Sequence, residues 1–156
     1  MYRSTIVFLV GLVFVLSVFG CGEKDAASPP EAAASVARSH GSGGLHWSSD
    51  WDASLEKAKN EDKRVLVDFY ADWCIWCKKL EKTTLSDSAV AAYLKERVVP
   101  LRLNVDTNGR SLSREFRIDG LPTLLILNGD GREVGRIPGY LPPDAFLARM
   151  QSLLGS

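Results

Sequence analysis

Cys74 and Cys77 stand three positions apart at the seam between a strand-forming run and a helix-forming one, and few folds accommodate such a junction. Val65-Leu66-Val67-Asp68-Phe69-Tyr70 is nearly continuous in apolar β-formers. That is the pattern of a central strand covered on both faces, and so of a sheet lying between helices. A spacing of three in the following helix puts the two thiols on neighbouring turns, within disulfide reach. Cys74 sits where free backbone N–H groups and the helix dipole favour negative charge, which predicts a lowered pKa and a nucleophilic thiolate. Cys77, a turn further in, is then the shielded thiol that resolves a mixed disulfide formed on Cys74.

Other uses of the pair fit less well. A disulfide closing a loop of four residues gains about 2 kcal/mol in the chain-entropy model, against about 3 kcal/mol for fifteen, so a purely structural staple has little to offer here. Zinc needs four ligands, no second Cys-x-x-Cys exists, and the metal would have to recruit His40 and His46, which read better as solvated or partly packed side chains. Lys78 stands where a c-type haem attachment requires histidine. The expectation is a redox-active pair with no metal and no other cofactor. Nineteen basic side chains balance nineteen acidic ones, leaving no net field to draw the chain onto nucleic acid. At 156 residues, 46% apolar and 24% charged, the composition is that of one folded domain, not two large ones or a disordered chain.

The N-terminal region addresses the chain. Arg3 is the only charge before Glu23, and residues 6–19 are almost wholly apolar, as in an export signal. As a helix those residues reach roughly 21 Å, short of a bilayer core of about 30 Å. Val18-Phe19-Gly20-Cys21 resembles the bacterial lipobox, so Cys21 is expected to be a lipid anchor after removal of residues 1–20; plain cleavage and an uncleaved anchor are the alternatives. Residues 21–44 turn to Ala, Ser, Pro and Gly and read as a flexible tether spanning roughly 26 Å.

The folded part is expected over 45–156. Ser48 or Ser49 can cap a helix whose Trp51, Leu55 and Ala58 face a core. After the strand at 65–70 come a helix at 74–82, a helix at 87–95 capped by Ser86, a buried strand at 98–105, and a short helix at 111–116. Leu121-Pro122-Thr123 opens a third strand at 124–127. Asn128-Gly129-Asp130-Gly131 is a hairpin signal leading to an antiparallel strand at 133–137. Pro142 and Pro143 start a last helix with Phe146, Leu147, Met150, Leu153 and Leu154 on its apolar stripe. This order makes a single α/β domain with a central mixed β-sheet flanked by helices.

Asp68 in the middle of a buried strand predicts a carboxyl whose pKa is raised by desolvation, able to exchange protons near neutrality; a solvent-facing aspartate is the alternative. Trp73 and Trp76 flank the thiols as an apolar landing surface for a partner, with core packing the equal alternative for Trp73.

Residues 68–78, Asp68-Phe69-Tyr70-Ala71-Asp72-Trp73-Cys74-Ile75-Trp76-Cys77-Lys78, resemble the active-site strand and helix of the thioredoxin family, and Gly120-Leu121-Pro122-Thr123 resembles its cis-proline loop. Within that family residues 70–74 and Glu81 look closest to the C-terminal domain of transmembrane thiol:disulfide interchange proteins of the DsbD type and to small exported relatives. The resemblance implies the thioredoxin fold and a cis Leu121–Pro122 bond. It implies that Asp68 takes the proton of Cys77 during resolution, with Glu81 tuning it or being an ordinary surface charge. Ile75, Leu121, Pro122 and Thr123 join Trp73 and Trp76 as substrate-contacting positions, with Arg102, Gly139 and Tyr140 nearby in support. It further implies an extracytoplasmic, lipid-anchored and monomeric reductase on the periplasmic face of a bacterial membrane. Such a reductase takes electrons from a membrane donor of the DsbD or CcdA type and passes them to client disulfides. An oxidase or isomerase on the same fold, and a metal-binding or adaptor lipoprotein, are the rival readings. Ile75-Trp76 departs from the Gly-Pro of thioredoxins, which bears on redox poise.

Overall fold

The computed structural model describes residues 44–155. The expected leader 1–20, the lipidation site Cys21, His40 and all of the tether but Gly44 lie outside the described residues. His46 lies within them and is exposed.

The expected element order is present. Helix α1 (Trp51–Asn60) precedes strand β1 (Arg64–Tyr70), which runs into α2 (Ile75–Leu80). A π-helical segment (Glu81–Leu85) extends α2, followed by α3 (Ser88–Arg97), β2 (Val98–Asn104) and the short α4 (Arg110–Glu115). Strands β3 (Thr123–Leu127) and β4 (Glu133–Pro138) then form a hairpin, and α5 (Pro143–Leu154) closes the domain. The sheet order is β2-β1-β3-β4, with β1 parallel to β2 and antiparallel to β3, and β3 antiparallel to β4. The hairpin turn is held by Asn128, whose Oδ1 accepts from the N–H groups of Asp130 and Arg132. Gly131 supplies the left-handed backbone it needs, at φ +77°.

Because side chains alternate along a strand, β1 feeds two cores. Val65, Val67 and Phe69 pack with Leu101, Leu103, Leu125 and Leu127 beneath Trp51, Leu55 and Ala58 of α1 and Leu112 of α4. Leu66 faces the other way, toward Leu80, Leu85, Val90 and Leu94 and toward Phe146 and Met150 of α5.

Two helix caps differ from expectation. Asp50, not Ser48 or Ser49, caps α1 by accepting from the Ala53 N–H, and Asp87, not Ser86, caps α3 by accepting from Ala89 and Val90. An N-cap needs extended backbone, and Asp87 has it at φ −64°, ψ 134°. Ser86 still belongs to the preceding helical turn, and its hydroxyl donates back to the Lys82 carbonyl at 2.6 Å. The cysteine helix also starts one residue later than expected, leaving Cys74 as its cap. Its buried positions recur every third residue at Cys77 and Leu80 and then at Thr84 and Leu85. The wider π turn supplies the extra residue that lets both Thr84 and Leu85 face inward, and the Thr84 hydroxyl donates to the Leu141 carbonyl at 2.6 Å.

Candidate functional site

At the C-terminal end of β1 the chain leaves the sheet through Ala71, Asp72 and Trp73 and enters α2 at Cys74. The Cys74 N–H is satisfied by the Ala71 carbonyl at 3.1 Å. The Cys77 N–H donates to Cys74 Sγ at 3.1 Å, so a backbone amide of the first turn points at this sulfur, the placement that favours a thiolate there. Cys74 and Cys77 are joined as a disulfide with their Cα atoms 5.3 Å apart. Both are buried, Cys77 slightly the more at 2% exposure against 5% for Cys74, among Ala71, Tyr70, Val105 and Leu121.

The loop before β3 meets the cysteines. Its Leu121–Pro122 peptide bond is cis. Leu121, half-buried, packs against the cysteine pair, whereas Pro122 and Thr123 are buried. Thr123 Oγ1 donates to the Gly120 carbonyl at 2.7 Å and the Gly139 N–H to the Pro122 carbonyl at 2.8 Å. Of the substrate-contacting positions expected in this loop, Leu121 is therefore the accessible one, and Thr123 shapes the loop from inside.

Around this buried centre stand exposed apolar side chains. Ile75 is 78% exposed, Trp73 67% and Trp76 54%, so the core-packing alternative for Trp73 does not hold. Its indole Nε1–H donates to Asp106 Oδ2 at 2.9 Å. Asn104 Nδ2 donates to Asp72 Oδ2 at 3.2 Å, while Asn104 Oδ1 accepts from the Asp106 N–H at 2.9 Å. Asn104 and Asp106 thus tie the segment before Cys74 to the turn after β2. Sequence reasoning singled out neither; the available signal is Asn104-Val105-Asp106 just after a strand, an Asx-turn pattern.

Beneath α2 lies the ionisable part of the site. Asp68 is 1% exposed, which removes the solvent-facing alternative, and loss of water pushes its carboxyl up to about 6. The positive charge of Arg102 opposes that rise and the negative charge of Glu81 adds to it. Register pairs Asp68 with Arg102 across β1 and β2. Arg102 Nε comes within 3.1 Å of Asp68 Oδ2, yet no hydrogen bond is aimed along that approach, and Asp68 Oδ1 has no hydrogen-bond partner. The guanidinium gives its hydrogen bond to Glu81 instead, Nη2 to Oε2 at 3.0 Å, and stacks 4.3 Å over the Tyr70 ring. That bond holds the half-buried Glu81 below the usual carboxylate range. One arginine therefore faces two carboxylates in opposite conditions: an ionised Glu81 that anchors it, and a buried Asp68 that can gain or lose a proton near neutrality. Expected only as a supporting residue, Arg102 is the joint of this arrangement.

Among the described residues no group of three or more His, Cys, Asp or Glu is placed to hold a metal, and no helix is long and apolar enough to cross a membrane.

The family model of the thioredoxin-like domain matches residues 51–154. Among relatives, the thiol:disulfide interchange protein DsbD of Pseudoalteromonas atlantica is 36% identical over 110 residues, 67% of this chain but 18% of that protein. This chain therefore spans less than a fifth of that relative's length. Among solved structures, the oxidised C-terminal domain of Neisseria meningitidis DsbD superposes with a TM-score of 0.58 at 27% identity, covering 69% of this chain and 99% of that one. A thioredoxin from Thermus thermophilus gives 0.63 at 31% identity, covering 69% and 85%.

Proposed function

Because the chain belongs to the thioredoxin-like domain family, we propose that it is an extracytoplasmic thiol:disulfide oxidoreductase that reduces client disulfides through Cys74 and Cys77. The observation that carries this reading is the Cys74–Cys77 disulfide at the start of α2, set above buried Asp68 and ringed by exposed Trp73, Ile75 and Trp76.

In the reducing direction the thiolate of Cys74 attacks one sulfur of a client disulfide, making a mixed disulfide and expelling the other client sulfur as a thiolate. Cys77 then attacks Cys74 Sγ, closing the Cys74–Cys77 disulfide and releasing the second client thiolate. Two electrons pass to the client and two protons follow. Asp68, ionised above about pH 6, takes the proton of Cys77 as it becomes a nucleophile. Leu121 offers backbone beside the cysteines to an extended client segment, and Trp73 and Trp76 offer apolar area.

The reducing direction is supported by the kinship to interchange proteins and by the lack of histidine between the cysteines. Location outside the cytoplasm and supply of electrons by a membrane donor are supported by the apolar leader and by the same kinship, and a lipid on Cys21 by the Val18-Phe19-Gly20-Cys21 pattern alone. The reading treats the protein as a monomer. Ile75-Trp76 between the cysteines favours keeping an oxidase or isomerase as the second reading. The equilibrium potential separates them: a value near about −270 mV is expected for the reductase, and one near about −120 mV would turn the protein into an oxidant. Cys77→Ala is expected to accumulate mixed disulfides on Cys74 in cells, and an absence of trapped clients would leave an adaptor.

A further inference from the structure

Resting on that reading, we propose that the exposed face of α2 selects clients whose disulfide is flanked by acidic residues, with Lys79 as the specificity-determining side chain and Lys78 and Lys82 beside it. Ile75, Lys78 and Lys79 follow the i, i+3, i+4 rule on one exposed face of α2, and Lys82, exposed in the π-helical segment that extends it, adds a third ammonium. Charge over the whole chain is balanced at nineteen of each sign, but this surface is not. Lys57, Lys59 and Lys63 each have a carboxylate within ion-pair distance, whereas Lys78, Lys79 and Lys82 have none among the described residues. The acid within the same helical run, Glu81, is committed to Arg102. Asp72 and Asp106, on the far flank by Trp73, are engaged by Asn104 and by the indole.

Lys79 is also held in place. Its Nζ lies 4.9 Å from the centre of the Trp76 ring and 4.5 Å from that of Tyr140, and the two rings are 5.8 Å apart. The Tyr140 hydroxyl is in turn 3.2 Å from Thr83 Oγ1. Cation–π contact positions an ammonium without neutralising it. The result is an aromatic shelf carrying a positive charge on the helix that Cys74 caps. Its complement is an extended segment carrying a carboxylate next to an apolar side chain. An anionic bilayer would match the charge but brings no disulfide to Cys74, so the occupant is an acidic polypeptide.

Charges at the rim of a docking surface act on the encounter rate and its salt dependence. The test uses the reduced full chain and short peptides closed by one disulfide, identical except for Glu, Gln or Lys at the flanking positions. At low ionic strength the Glu peptide is expected to be reduced about tenfold faster than the Lys peptide, with the Gln peptide between, and the spread is expected to collapse in high salt. The Glu-to-Gln rate ratio is expected to approach one in the combined Lys78→Gln, Lys79→Gln, Lys82→Gln variant and to survive the corresponding three-arginine variant. Equal rates for the three peptides, or a ratio unaltered by the glutamines, would overturn the selection while leaving the reductase reading in place. Lysine-dependent binding of the full chain to anionic phospholipid vesicles together with equal peptide rates would overturn it in favour of a membrane surface. No exchange with any peptide would overturn the oxidoreductase reading and this inference with it.

Discussion

Strand β1 presents Val65, Val67 and Phe69 to one side of the sheet, where they join an apolar cluster beneath α1. To the other side, beneath α2, it presents Leu66, then Asp68, then Tyr70, with Arg102 and Glu81 closing over the carboxyl. Both sides are well buried, so equal burial serves two ends. On the α1 side it removes apolar area from water and stabilises the fold. On the α2 side it withholds water from an ionisable group, which costs stability and yields a proton acceptor near neutral pH. A polar residue in an otherwise apolar strand therefore marks which side of the sheet carries the chemistry.

The sharpest way to break this division is a cavity on the α1 side. Leu125→Ala is expected to cost about 2–5 kcal/mol in urea unfolding, while the exchange rate per folded molecule and its pH profile stay as they are. A comparable loss of exchange rate would show that the two sides are not separate. On the α2 side, Asp68→Asn is expected to do the reverse. Exchange at pH 7 should slow roughly a hundredfold, within the range a positioned acid–base group contributes, while stability rises. The sign follows from linkage. The folded carboxyl titrates at about 6 against an ordinary 3.8, so between those values the folded protein holds a proton that the unfolded chain has released. Stability of the natural protein therefore falls as pH rises from about 4 to about 6 and stays lower above. The asparagine variant lacks this decline and is expected to gain on the order of 2–3 kcal/mol at pH 8, with the gain absent below about pH 4. A variant less stable than the natural protein at pH 8 would mean that the Arg102 contact outweighs the burial of the charge.

Smaller effects sharpen the same contrast. Glu81→Gln removes a negative charge that raises Asp68 and frees Arg102 to turn toward it. The midpoint of the pH–rate profile is then expected to move downward from about 6 by less than about one unit, or about 1.4 kcal/mol. An upward move would contradict the arrangement. Trp73→Phe loses only an exposed hydrogen bond to Asp106 and is expected to cost no more than about 1 kcal/mol in thermal unfolding.

Much of this molecule is legible along the chain because it is local. The Cys74–Cys77 spacing, the apolar run of β1, the Asn128–Gly131 turn and the stripe of α5 each declare an element through propensities acting over a few residues. The caps show the limit of that reading. Ser86 and Asp87 are equally suited by type, and only where the preceding π turn ends decides which one has extended backbone. The site shows the limit more strongly. Asp68 can be read as buried, but not that Arg102 would stand beside it, since that depends on β1 and β2 pairing in one register. Nor does the chain around Trp73 announce Asp106, which lies far along the sequence, and the sequence places Leu121 beside Cys74 only through the resemblance of its loop to that of a known family. Periodicity tells a side chain which face it occupies, and it was enough to place the thiols and the buried carboxyl. Which groups then meet across that face is a matter of strand register and loop path, and only the packed tertiary structure decided it.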